Sequence, residues 1–461
     1  MFETAVDHLF YNTKVMKQFL SILALLSVLT TFSAWKEDYP EISDLRNYPQ
    51  DALAYVSKAT SHQRLISALD QSHLEAEYDT KYFGPWHMDA SAVSSLEDVT
   101  WAFKDFKRQT GYGEDKKIRG PEWIEGIKEN ANLETYPNKG VRAITIRNTA
   151  IRILPTAKPF FYSFALDGEG YPFDNVQHSF MVSNTPIFVS HVSKDGAWSL
   201  VESHHGVGWI PTIDLAYVNE AFVNAWENKK YAVVIKDETP IATEAGTFLF
   251  DAPIGTLLPV IQETATQYLV MAAVSNESKL ARIFRAKLPK SNSTSKPIPL
   301  TLYNLGRLAN EFIGKPYGWA GMYGNRDCSS FTKDFFAPFG IFLPMNSANQ
   351  AKFGRSQVDL SEKSNALKLS AIRSRGVPFL TLLAMKGHIM LYIGSYKGEP
   401  LVMHSFWGIR TSDSRNPDGR HLVAQTAITT LHAGLELPNR NPEGDFLSRI
   451  QSMTFLTDLS S

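Results

Sequence analysis

Pro316-Tyr317-Gly318-Trp319-Ala320-Gly321, followed by Asn325-Arg326-Asp327-Cys328-Ser329-Ser330-Phe331-Thr332, is the stretch on which the reading of this chain turns. Its glycines force a loop. Phe331, Phe335 and Phe336 then recur at helical spacing, so a helix is expected to start at or just after Cys328. Backbone N–H groups and the dipole at a helix start favour thiolate over thiol, which predicts a Cys328 pKa lowered from about 8.5 to roughly 3.5–7.5. Cys328 is the only cysteine in 461 residues, so no intramolecular disulfide can form. A lone buried cysteine is ordinarily an inert small hydrophobe, and partners are needed to make it a nucleophile.

Two histidines downstream supply them. His388 opens the apolar run His388-Ile389-Met390-Leu391-Tyr392-Ile393, bounded by Gly387 and Gly394, and reads as the start of a buried strand. His404 lies in Leu401-Val402-Met403-His404-Ser405-Phe406, a second strand after the turn at Lys397-Gly398-Glu399-Pro400. Adjacent antiparallel strands place the two side chains on one face if their register agrees. A nucleophile needs a base within hydrogen-bond reach and the base an orienting partner, and the two histidines are candidates for these places. His204 and His205 invite a metal reading. As neighbours on a strand they would face opposite ways, so they are expected to be surface residues, and neither a metal nor any other cofactor is expected.

The rest of the chain reads as further domains. Its length and 44% hydrophobic content allow roughly three or four packed cores. Lys and Arg (46) nearly balance Asp and Glu (47), which removes the electrostatic case for a nucleic-acid partner. Met16-Lys17, the apolar run Phe19 to Leu29 and the small residues Thr31, Ser33 and Ala34 read as a signal peptide over residues 1–34, with Met16 as an alternative start. The run is shorter than the roughly 20 residues of a spanning helix, so no membrane span is expected after cleavage, and the mature protein belongs in the periplasm or cell envelope.

Residues 35–136 are expected to be helical, including Ala52-Leu53-Ala54-Tyr55-Val56, Leu65 to Leu69 and Leu96 to Phe106, with Tyr82-Phe83-Gly84-Pro85-Trp86 as a packed loop. Short β-rich runs over 137–218 and 219–290 read as two small barrels. Residues 291–298, rich in Ser, Asn and Pro, read as a linker that cannot bury enough apolar surface to pack. A separate domain follows from 299 to 461.

Pro316-Tyr317-Gly318-Trp319, Asp327-Cys328-Ser329, Leu343-Pro344-Met345-Asn346-Ser347 with Gln350, Gly387-His388-Ile389 and His404 together resemble the NlpC-type cell-wall endopeptidases, a branch of the papain-like cysteine peptidases. The resemblance implies a multidomain α+β protein: a papain-like α+β catalytic domain preceded by two small SH3-like β-barrels and a helical N-terminal segment. It implies Cys328 as nucleophile, His388 as base, His404 as orienting residue, and Tyr317, Asp327 and Ser329 as substrate-binding residues. The implied substrates are peptidoglycan stem peptides or muropeptides, cut between γ-D-glutamate and meso-diaminopimelate or lysine. An N-acetylmuramoyl-L-alanine amidase or acyltransferase with the same triad, and a non-catalytic wall-binding protein, stay open as alternatives, and the oligomeric state is not legible. Ser330 and Ala320 stand where many members have Gly, which narrows the loop beside the nucleophile.

Overall fold

The computed structural model describes residues 41–414 and 416–457, so the expected signal peptide lies outside the described residues. No described helix is long and apolar enough to cross a membrane. A short helix over Ser43–Asn47 is followed by α1 (Ala68–Phe83), α2 (Leu96–Lys107) and α3 (Pro121–Ala131). Ser67 caps α1 by accepting from the Asp70 N–H, Ser95 and Asp98 form a reciprocal capping box on α2, and Pro121 opens α3. The expected helix at 52–56 is only a 3₁₀ turn over Ala52–Tyr55, and Leu65 and Ile66 precede the Ser67 cap. Tyr82-Phe83-Gly84-Pro85-Trp86 is packed: Trp86 is fully buried and donates from Nε1 to the Ala143 carbonyl at 2.7 Å. Truncating it to Ala would cost about 3–5 kcal/mol.

Strands β1 (Val141–Thr145), β2 (Thr149–Arg152), β3 (Gln177–Met181), β4 (Pro186–Val192), β5 (Trp198–Ser203), β6 (Gly206–Pro211) and β7 (Leu215–Tyr217) form an antiparallel sheet in the order β3-β2-β6-β5-β4-β1-β7. Its interior holds Ala143, Ile151, Met181, Ile187, Val201 and Ile210. After α4 (Glu220–Trp226), a second sheet comprises β8 (Tyr231–Val234), β9 (Thr239–Thr243), β10 (Phe248–Ala252), β11 (Leu257–Glu263), β12 (Gln267–Ser275), β13 (Ala281–Pro289) and β14 (Ser293–Ser295), ordered β10-β9-β13-β12-β11-β8-β14.

Strand β14 lies inside 291–298, the stretch expected to be an unpacked linker. It pairs with β8, Ala232 opposite Ser295 and Val234 opposite Ser293. The next residue, Lys296, has a fully buried side chain, ion-paired to Glu75 of α1 at 2.6 Å and lying 3.7 Å from the centroid of the Tyr78 ring. Composition measures apolar burial, whereas this segment is held by backbone hydrogen bonds and a buried charge pair.

The last sheet is built from β15 (Ser356–Asp359), β16 (Thr381–Met385), β17 (His388–Tyr396), β18 (Glu399–Thr411), β19 (Gly419–Thr430) and β20 (Ile450–Phe455), in the order β15-β20-β16-β17-β18-β19. Helices α5 (Leu302–Asn310), α6 (Cys328–Phe336), α7 (Ser347–Lys352), α8 (Asn365–Arg375) and α9 (Phe446–Arg449) accompany it. Helix α6 packs on β17 and β18. Phe331, Phe335 and Phe336 are fully buried in one cluster with Phe312, Ile389, Leu391 and Met403. At roughly 1.5–3 kcal/mol per buried aromatic, this contact fixes the start of α6 against the start of β17, where Cys328 and His388 lie.

Candidate active site

Helix α6, which begins at Cys328, is pinned at its first turn. Asp327 Oδ1 accepts from the Ser329 and Ser330 N–H groups at 3.0 and 2.8 Å and from both serine hydroxyls, while the Asp327 N–H donates to Ser330 Oγ at 2.9 Å. Ser330 thus completes a capping box. Gln350, fully buried, donates from Nε2 to the carbonyls of Ser329 and Pro344 and accepts from Thr332 Oγ1. The Leu343 to Gln350 motif therefore acts by tying the first turn of α6 to the next loop. Ala320 holds a left-handed φ of 46° in the loop before Cys328, a conformation that favours Gly. A side chain at Gly321 would meet Phe180 of the first barrel at 2.5 Å, so this loop is pressed against that barrel.

Arg326 anchors the same segment from the other side. Its buried guanidinium makes a bidentate pair with Asp237 of the second barrel at 2.8 Å, reaches Asp334 at 2.7 Å and stacks on the Phe312 ring. Burial works against the Asp237 charge, but Arg326 outweighs it and holds that carboxylate below its ordinary range. Ser405 donates to the Arg326 carbonyl at 2.8 Å, linking the approach to Cys328 directly to the strand that carries His404.

The expected register is found. His388 and His404 lie on one face, with His388 Nε2 and His404 Nδ1 2.8 Å apart, and His404 Nε2 lies 3.0 Å from Thr429 Oγ1. His404 is fully buried, its ring stacked on Phe406 at 4.1 Å and edge-on to Phe446, which also stacks on His388. Helix α6, which begins at Cys328, packs on β17, and the N–H groups of Ile389, Ser329 and Cys328 itself act to lower the thiol's pKa.

The electrostatics differ from the helix-start expectation. Burial, and then the Asp327 charge, push the Cys328 thiol well above its ordinary range, and the surrounding N–H groups only partly offset this. Burial, with the charge of Arg449, holds His388 down to about 3, and burial keeps His404 neutral beside it. Both shifts act in the direction of the uncharged forms, a neutral thiol and a neutral imidazole. The expectation of a lowered thiol pKa counted the dipole and N–H groups of the helix start but not desolvation: Cys328 is only 8% exposed.

Tyr317, Asp327 and Cys328 come together: burial and the Asp327 and Cys328 charges raise the Tyr317 phenol. Tyr317 packs on Trp407, Trp407 on Phe173 of the first barrel, and Phe173 on Trp319, whose Nε1 donates to the Asp174 carbonyl. Ser329 is buried, and its hydroxyl is part of the Asp327 cap. Sequence reasoning missed Arg326, Phe173, Trp407 and Thr429. Arg326 stood inside the quoted motif, but its partner Asp237 is far away in the chain.

His204 and His205 are not surface residues on a strand. They form the turn between β5 and β6, with rings 4.2 Å apart, His205 bonded to Ser179 at 3.1 Å and His204 packed on Tyr82. In a turn the alternation of a strand does not apply, and this hairpin tip packs against the end of α1. Among the described residues no group of three or more His, Cys, Asp or Glu side chains is placed to hold a metal ion.

Comparison with known proteins yields four consecutive matches. Residues 19–136 match the NLPC_P60 stabilising domain, 159–211 an SH3 domain of SH3b1 type, 219–265 an SH3 domain of SH3b2 type and 314–418 the NlpC/P60 family. A solved structure described as a novel NlpC/P60 endopeptidase from Photobacterium damselae subsp. piscicida superposes with a TM-score of 0.79 at 26% identity, covering 90% of this chain and 98% of that one. A gamma-D-glutamyl-L-lysine dipeptidyl-peptidase from Bacillus cereus is 28% identical over 179 residues, covering 36% of this chain and 52% of that protein. The chain thus spans about half the length of this curated relative. A helical region and paired SH3-type sheets, matched in that order and superposing along nearly the whole chain, thus precede a C-terminal α+β domain of the NlpC/P60 family.

Proposed function

We propose that this protein is an exported cysteine peptidase of the bacterial envelope that hydrolyses peptidoglycan stem peptides or muropeptides between γ-D-glutamate and the diamino acid. The observation that carries the reading is that Cys328 opens a capped helix packed on the two strands that hold the hydrogen-bonded pair His388–His404. The printed activity of the Bacillus cereus relative supports the choice of bond.

As the Cys328 sulfur attacks the γ-glutamyl carbonyl, its proton passes to His388 and the imidazolium is oriented by His404. The Cys328 N–H, at the first position of α6, donates to the oxyanion. His388 then returns the proton to the departing amine of the diamino acid, leaving a thioester. Water, deprotonated by His388, cleaves it and restores the thiol. Because ion-pair formation is deferred until attack, the buried site carries no charge separation at rest.

Tyr317, Asp327 and Ser329 bind the N-terminal side of the substrate. With Asp327 Oδ1 committed to the helix cap, the second oxygen is the one that meets the free amine of L-alanine. Losing that contact leaves this second carboxylate oxygen unpaired, a loss of about 1–3 kcal/mol. Free L-Ala-γ-D-Glu-diamino-acid peptides should therefore be cut roughly tenfold or more faster than stems attached to glycan. Rates on the two substrates test this. Equal rates contradict the amine contact, and release of intact stems from muramic acid would assign the amidase reaction instead.

A further inference from the structure

The hydrogen-bond chain does not stop at His404. Its Nε2 lies 3.0 Å from Thr429 Oγ1, and that same hydroxyl donates to the Thr430 carbonyl at 3.0 Å. Thr429 is fully buried on β19, two residues along from Ala427, which pairs directly with His404. A hydroxyl has one proton. Given to the Thr430 carbonyl, that proton leaves Oγ1 only as an acceptor toward His404, so His404 carries its hydrogen on Nε2. Its Nδ1 is then bare and accepts from His388, which must carry its own hydrogen on Nε2. The consequence is a bare Nδ1 on His388, free to take a proton from the thiol.

We propose that Thr429 is a positioning residue that sets the tautomer of the whole histidine relay, with the Thr430 carbonyl as its fixed reference. The reverse arrangement, with the Thr429 hydroxyl donating to His404 Nε2, runs every bond the other way. His404 then donates from Nδ1, His388 accepts on Nε2, and the proton on His388 Nδ1 blocks it as a base. A backbone carbonyl cannot reverse its role, so the direction is built into β19 and not into either histidine. This inference rests on the reading of His388 as the base. A serine or threonine at this position satisfies it, whereas valine matches the shape of threonine and removes the acceptor.

The test uses the full chain with ¹⁵N-labelled histidine, its wild-type form and the Thr429→Val and Thr429→Ser variants. In the wild type, His404 should show a protonated Nε2 and an unprotonated Nδ1. In Thr429→Val the His404 tautomer should change, alkylation of Cys328 by iodoacetamide near neutral pH should slow, and kcat should fall by about 10²-fold with KM unchanged, the size of a lost general base. Thr429→Ser should restore most of the rate and the wild-type pH profile. A wild-type His404 protonated on Nδ1 overturns the proposal even if the valine variant does not fold. So does a folded Thr429→Val variant with wild-type alkylation rate and kcat. Alkylation and the nitrogen shifts need no peptide substrate, so absence of stem-peptide hydrolysis by the wild type counts against the proposed function and leaves these two readouts to decide on Thr429.

Discussion

Among the described residues, two close pairs of histidines each join a buried ring to a half-buried one, and they differ in their hydrogen bonds. His388 and His404 have ring centroids 5.0 Å apart, and His204 and His205 have centroids 4.2 Å apart. Burial holds all four imidazoles below their ordinary pKa. The first pair is joined nitrogen to nitrogen, ends on a hydroxyl and lies on the strands against which the Cys328 helix packs. In the second, His205 bonds to Ser179, the buried His204 Nδ1 has no protein partner, and Lys333 supplies a like charge. Burial and proximity are common to both, so the difference lies in directional hydrogen bonds with a proton donor at one end.

The largest effect is expected at the thiol. Cys328→Ala should remove hydrolysis to background, a loss of more than about 10³-fold, because the covalent route is gone. His388→Ala should cost about 10²–10⁴-fold and His404→Ala less, since orienting a base matters less than supplying it. Steady-state kinetics on a free stem tripeptide reads all three. Arg326→Met comes next: it strips half-buried Asp237 of its bidentate partner and leaves Asp334 with Lys333 alone, and should destabilise the fold by about 3 kcal/mol, measured by urea unfolding. The sharpest contrast comes from His204→Phe, which should leave kcat unchanged. A catalytic loss there as large as that of His404→Ala would erase the distinction between the pairs.

The smallest effect is on pH dependence. His388 has its folded pKa lowered from 6.5 to about 3, so below pH 6.5 the unfolded chain binds the extra proton and stability falls as pH drops toward 3. The Cys328 thiol is raised from 9.0, so its contribution is present below pH 9 and is lost as pH rises above it. The melting temperature should therefore decline on both sides of this window, and Cys328→Ala should remove part of the alkaline decline. A wild-type and variant pair with identical alkaline limbs would show that the thiol is not buried as described.

Much of the architecture was legible because it depends on local pattern. The helix start at Cys328, the strands holding His388 and His404 and the barrels' short β runs all follow from periodicity and from Gly and Pro punctuation. What escaped depends on contacts between distant segments. Lys296 looked like linker because its ion-pair partner, Glu75, lies 221 residues away in the sequence. Asp237 could not be paired with Arg326 without the fold, and Thr429 becomes visible only once the β18–β19 register is known. The thiol's pKa was misjudged for the same reason, since a helix start can be read locally and desolvation cannot.

The most direct measurement is mass spectrometry of muropeptides digested with the purified wild-type protein and with Cys328→Ala. Scission between γ-D-glutamate and the diamino acid is expected with the wild type, and unaltered muropeptides with the variant. The same products from Cys328→Ala, or intact stems after exhaustive digestion with the wild type, would contradict a cysteine peptidase acting at that bond.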